Sequence, residues 1–121
     1  MLFRSEIDPE TGHVALAKHA SVDDVGTIIN RMIVEGQVHG GATQGAGQAL
    51  MEQAVYDPES GQLLTGSLLD YCVPRADDLP SIDTFTDETT LCKINPLGAK
   101  GVGELGTVGG TPTVINAMLD A

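Results

Sequence analysis

The chain has 121 residues, 41 % of them hydrophobic, enough for one modest core and too many for a disordered segment. Its 17 acids against 6 bases leave a formal charge of −11, which argues against binding a phosphate backbone, so no nucleic-acid partner is expected. With no Trp, 3 % aromatics and 15 glycines, the core has to be built from Val, Ile, Leu, Ala and Met, with backbones closely packed where glycines cluster.

The opening "FRSEIDPETGHVALAKHASV" reads as strand, turn and strand, with Asp8-Pro9-Glu10-Thr11-Gly12 as the turn. Beyond it Val14, Leu16 and Lys18 alternate with Ala15, Ala17 and His19, and "VDDVG" is expected to close the hairpin. From about Asn30 the period changes to three and four: Ile33, Val38, Ala42, Ala46, Ala49 and Leu50 predict a helix. Its first half carries Gly36, Gly40, Gly41, Gly45 and Gly47, each costing a helix about 1 kcal/mol relative to Ala. Either this segment is partly loop, or one helix face comes close to a ligand or another backbone.

Asp57-Pro58-Glu59-Ser60-Gly61 is a second turn between apolar runs, and "VPRADDLP" is a proline-bounded link. "SIDTFTDET" alternates again, with Ile82, Thr84 and Thr86 on one face of a strand. "INPLGAKGVGELGTVGG" reads as a long glycine loop. The last helix is expected from Thr111 as cap and Pro112 as first helical residue, with Val114, Met118 and Leu119 sharing a face. The order β-β-α-β-(β)-loop-α is an α+β fold: a β-hairpin, a glycine-rich helix, further strands and a C-terminal helix. We read residues 1–121 as a single domain, and the uncapped last helix as the mark of a chain cut at its C-terminal end.

"GVGELG", Gly101–Gly106, spells the dinucleotide fingerprint G-x-G-x-x-G, but the context is wrong. That motif needs a buried strand before it, a helix after it and an acid about 20 residues on. "NPLGAK" is no buried strand, "TVGGT" does not read as a helix, and 15 residues remain after Gly106. Lys100 precedes the glycines, so a phosphate loop fails too. Glu104 is then either a solvated acid on a loop, or a carboxylate held by glycines in a water-poor pocket, where it can act as a general base. Gln37 and Gln44 are either exposed polar residues of the helix or amides facing a heterocycle. His13, His19 and His39, one per element, give no metal-ligand pattern. Cys72 and Cys92 read as reduced thiols of a cytoplasmic protein, and no run approaches the roughly 18–20 apolar residues of a membrane span.

"GQVHGGATQGAGQALMEQAVYD", "GQLLTGSLLDYCVPRADDLP" and "NPLGAKGVGELGTVGGTPTVINAMLDA" together resemble, in order and spacing, the C-terminal part of the molybdopterin-binding subunit of molybdenum hydroxylases. That family includes xanthine dehydrogenases, aldehyde oxidoreductases and aerobic carbon monoxide dehydrogenases. The opening "EIDPETGHVALAKHASVDDVG" is similar to the strand pair before the family's cofactor helix. The resemblance implies an oxidoreductase that hydroxylates a carbon centre with water as oxygen source, or oxidises CO. It implies Glu104 as the active-site base, Gln37 as a pterin ligand, and Gly101, Val102 and Gly103 as backbone lining the metal site. The implied cofactor is molybdenum-molybdopterin, in its cytosine dinucleotide form in a bacterial protein, with FAD and 2Fe-2S on other subunits or domains. The implied partners are the remainder of the molybdenum subunit and those flavin and iron–sulfur parts, in a homo-oligomer. The alternative expectation is a non-catalytic truncated domain that folds and self-associates without cofactor.

Overall fold

The computed structural model describes residues 1–121 and places a strand on each side of the first D-P-E-x-G turn. Strand β1 (Leu2–Ile7) pairs antiparallel with β2 (Val14–Asp24). Asp8 makes the reversal: its carboxylate accepts the Thr11 hydroxyl at 2.7 Å and the Glu10 N–H at 2.8 Å, and Gly12 adopts φ +73°. Those two donors, the Thr11 hydroxyl first, hold the Asp8 carboxyl below its ordinary range. The second string, Asp57 to Gly61, folds the same way. Ser60 donates through hydroxyl and N–H to Asp57 Oδ1, both at 2.7 Å, and Gly61 takes φ +72°. The apolar runs on either side of this turn form no strands, leaving only an isolated bridge between Tyr56 and Leu63. Leu64, Leu68 and Leu69 are exposed there, because no sheet or helix of this chain offers them a face.

Two departures in β2 have one cause each. Between Arg4 and Ser5 the pairing register shifts, so that β2 carries one extra residue, Ala17. The bulge flips the side-chain phase. Leu16 and His19 are buried on one face while Ala17 and Lys18 are exposed, in place of the strict Val14–Leu16–Lys18 alternation. Nor does "VDDVG" close a hairpin. Val22–Asp24 continue as strand, because β3 (Ile82–Asp87) lies parallel to them, from His19 opposite Ile82 to Asp24 opposite Asp87. The sheet order is β1-β2-β3, and the parallel pair requires the long crossover that α1 supplies.

Helix α1 (Arg31–Leu50) starts where Asn30, in extended conformation, accepts the Ile33 N–H at 3.2 Å. A single 3₁₀ turn, Ala76–Asp78, precedes β3. Helix α2 (Leu105–Asp120) begins seven residues earlier than the sequence predicts. Pro112 therefore lies inside the helix, and Gly106, Gly109 and Gly110 are helical. Their helix-breaking propensity is overridden by packing. Gly41 and Gly45 of α1 face Gly106 and Gly110 of α2 with backbone against backbone. A Cβ on Gly41 would lie 2.9 Å from Gly106 Cα, on Gly45 2.8 Å from Thr111 N, and on Gly106 2.8 Å from Val38 O. At Gly41 and Gly45 close approach to another backbone is the explanation realised, and the segment is helix throughout.

Seven of the 17 buried residues are glycines (26, 41, 45, 47, 98, 106 and 110), so much of the interior is backbone. The side-chain core is small: Phe3 and Leu16 from the sheet meet Ala46 and Val114 from the helices. No isoleucine is buried, and one of the two phenylalanines sits at the centre. His19 is fully buried against Phe3, ring centroids 4.5 Å apart, with neither ring nitrogen hydrogen-bonded. Desolvation pushes its pKa down, so it packs as a neutral ring. Cys72 and Cys92 are both free thiols. No helix is long and apolar enough to cross a membrane.

Candidate functional site

The loop Gly101–Glu104 is slung between two anchors. Upstream, Lys100 donates its N–H to Val25 O and its ammonium to Asp24, while Ala99 bridges Gly26. Gly26 and Gly98 accept the tight crossing this needs: both have positive φ, and a Cβ on Gly26 would strike Gly98 O. Downstream, α2 starts at Leu105 and is at once fixed to α1. Thr107 Oγ1 lies 3.1 Å from Gly41 O and 3.2 Å from Gln44 Oε1. One turn on, Thr111 Oγ1 makes the same pair of contacts, 3.1 Å to Gly45 O and 3.1 Å to Gln48 Oε1. A hydroxyl has one proton, so both contacts of each threonine are met when the glutamine amide turns to donate and the threonine donates to the carbonyl.

Between the anchors, the loop meets the glycine-rich helix. Gln37 is exposed on α1, and a Cβ on Gly103 would lie 3.8 Å from Gln37 Oε1. Two predicted site residues 66 positions apart are thus neighbours, and Val102 and Glu104 flank them. Glu104 occupies the N-cap position of α2, with φ −116° and ψ −11°, but its carboxylate caps nothing. It is exposed, as are Gly101 and Gly103. The water-poor pocket expected around Glu104 is therefore not formed by this chain's own atoms. From Gly101 to Glu104, four consecutive backbone N–H groups find no acceptor within the chain.

The glycines of this face are unexplained by internal packing. Gly36, Gly40 and Gly101 have no atom within 4 Å of where a Cβ would stand, and neither Gly101 nor Gly103 has positive φ. Neither conformation nor crowding requires glycine there, unlike at Gly41 or Gly106. An amide side chain, a row of free N–H donors at a helix start and uncluttered backbone suit a flat group rich in hydrogen-bond acceptors. They fit a pterin-type cofactor and offer nothing to a bare metal ion, and no group of three or more His, Cys, Asp or Glu gathers anywhere in the chain. A groove of about 620 Å³ lies elsewhere, between the hairpin turn, the end of α1 and the 3₁₀ turn, and none of the candidate residues lines it.

Sequence reading missed Asp24 and Thr107, and took Thr111, which lies inside α2, for a helix cap. The threonines did leave a signal, since the Gly-Thr pairs 106/107 and 110/111 repeat at the same interval of four as Gly41/Gly45 and Gln44/Gln48.

Residues 2–80 match the molybdopterin cofactor-binding domain family. The chain is 45 % identical over 116 residues to the nicotine 6-hydroxylase large subunit of Paenarthrobacter nicotinovorans, covering 96 % of this chain and 14 % of that protein. It is 44 % identical over 117 residues to the carbon monoxide dehydrogenase large chain of Afipia carboxidovorans, covering 96 % and 14 %. Quinoline 2-oxidoreductase from Pseudomonas putida 86 superposes with a TM-score of 0.88 at 40 % identity, over 94 % of this chain and 14 % of that one. The chain thus spans 14 % of the length of these relatives.

Proposed function

This chain belongs to the molybdopterin cofactor-binding domain family, and from that premise we propose that Gln37 and Gly101–Glu104 form the cofactor-facing edge of a cytoplasmic molybdenum hydroxylase. The reaction is hydroxylation of a carbon centre with oxygen taken from water, or oxidation of CO. The carbon loses two electrons, which leave through 2Fe-2S and FAD groups on other subunits or domains. When bound, the molybdenum cofactor supplies the two-electron acceptor and the site at which a water-derived oxygen is activated.

The chain's own residues do three things. The Gln37 amide donates to and accepts from the edge of the pterin, in its cytosine dinucleotide form if the protein is bacterial. Backbone at Gly101, Val102 and Gly103 approaches the group closely, because no Cβ stands in the way at the two glycines and the N–H groups are unspent. The Glu104 carboxylate takes a proton from the attacking oxygen as the new C–O bond forms. The remainder of the molybdenum subunit closes over Glu104 and excludes water, a wall this chain lacks.

The observation that supports this reading best is the approach of Gln37 to Gly103 beside four uncommitted N–H donors. Its test is the molybdenum and pterin content of the assembled enzyme: Gln37→Leu lowers both at unchanged far-ultraviolet circular dichroism. Full cofactor content in that variant would contradict the assignment. A second reading, a domain that folds and self-associates without cofactor, is favoured by the exposure of Glu104. Stoichiometric molybdenum and pterin in the purified 121-residue chain would eliminate it.

A further inference from the structure

We propose that Thr107 is a positioning residue that sets the Gly103–Glu104 segment against Gln37, an inference that rests on the reading of this loop given above. The reason lies in the helix crossing. Two glycine faces in backbone contact exclude each other at short range but have no side chains to interlock, so they leave sliding and rotation weakly determined. Polar contacts have to fix the register. Thr107 and Thr111 supply two such contacts, each reaching a carbonyl of α1 and the glutamine three residues further along.

The two threonines are not equivalent in what they carry. Thr107 is three residues from Glu104 and four from Gly103. Gln44 is seven residues from Gln37, two turns along the same face of α1. The Thr107 bridge therefore joins the helix start that bears Glu104 to the face that bears Gln37. Thr111 makes a bridge of the same chemistry and length one turn deeper, next to no candidate residue. It is an internal control for the loss of a threonine hydroxyl.

The experiment compares Thr107→Val with Thr111→Val in the full chain by nuclear magnetic resonance. The contact between the Gln37 side-chain amide and Gly103 is recorded, together with backbone ¹⁵N order parameters at Gly103 and Glu104. The two variants should lose similar thermal stability. Only Thr107→Val should lose the Gln37–Gly103 contact, with order parameters at Gly103 and Glu104 falling from about 0.85 to below about 0.6. Thr107→Ser, which keeps the hydroxyl, should restore both. Should Thr107→Val not fold, Gln44→Leu removes the other half of the bridge from an exposed position and should weaken the same contact. An unchanged contact and unchanged order parameters in folded Thr107→Val or in Gln44→Leu would overturn the proposal, as would equal losses in Thr111→Val. Glu104→Gln leaves these observables untouched, so failure of the base assignment would be read from turnover alone and failure of the positioning role from the spectra alone.

Discussion

Neighbouring glycines of α1 should respond to the same substitution with opposite sign. At Gly40 an added Cβ meets nothing within 4 Å, so Gly40→Ala gains helix propensity and stabilises by about 0.5–1 kcal/mol. At Gly41 the added Cβ stands 2.9 Å from Gly106 Cα and 3.0 Å from Thr107 N, both backbone atoms that cannot turn aside. Ordinary carbon contacts need about 3.5–4.0 Å, so the helices must part by roughly 0.5–1 Å at the crossing. That overpacking costs about 1–3 kcal/mol, and stretching the Thr107 bond to Gly41 O removes about 0.5–1.5 kcal/mol more. Subtracting the propensity gain leaves Gly41→Ala destabilised by about 0.5–4 kcal/mol. Urea and thermal unfolding of the two variants beside the parent chain measure the difference, at roughly 4 °C in Tm per kcal/mol for a chain of this size. Equal stabilities for Gly40→Ala and Gly41→Ala would refute the backbone-contact account of the glycine-rich helix.

Burial of His19 predicts acid sensitivity. The folded chain keeps it neutral while the unfolded chain protonates it near pH 6.5, so the unfolded state binds more protons and stability falls as pH drops below about 6.5. The groups facing its ring are Phe3, Asp23, Asp83, His39 and the amino terminus, and desolvation outweighs the carboxylates. The His19 contribution to the slope is at most about 1.4 kcal/mol per pH unit; it should vanish in His19→Leu, and an unchanged pH profile of unfolding would contradict it. Lys100→Met frees the upstream anchor of the loop from Asp24; because both side chains are partly exposed, the cost should be only about 0.2–1 kcal/mol by urea unfolding, and a loss above about 2 kcal/mol would mean a different role for Lys100. The purified chain exposes Leu64, Leu68, Leu69, Ile94 and Leu97, so light scattering at rising concentration should report self-association, and a monodisperse monomer would count against it.

Local chemistry was easy to read and tertiary chemistry was not. Both D-P-E-x-G turns were legible because an aspartate, its hydroxyl neighbour and a glycine at positive φ make the reversal within five residues. The three-to-four period from about Asn30 likewise announced α1. The start of α2 was not legible: Gly106, Gly109 and Gly110 argue against a helix until the facing Gly41 and Gly45 are known, and those lie about 65 residues away. The bulge at Ala17 is invisible for the same reason, since it belongs to a pairing and not to one strand. At the site, Gln37, Gly101, Val102, Gly103 and Glu104 came from family resemblance, and the structure brings them to one edge of the two-helix layer. The exposure of Glu104 could not have been read, because the walls of a pocket are a property of what packs around it.

The central claim is that Glu104 is the base at a molybdenum site, and replacing its carboxylate with an isosteric amide tests it most directly. In the assembled enzyme carrying this chain, Glu104→Gln should retain molybdenum and pterin at the parent's stoichiometry and lose turnover by about a hundredfold or more. Retained turnover in a fully loaded Glu104→Gln enzyme would contradict the claim.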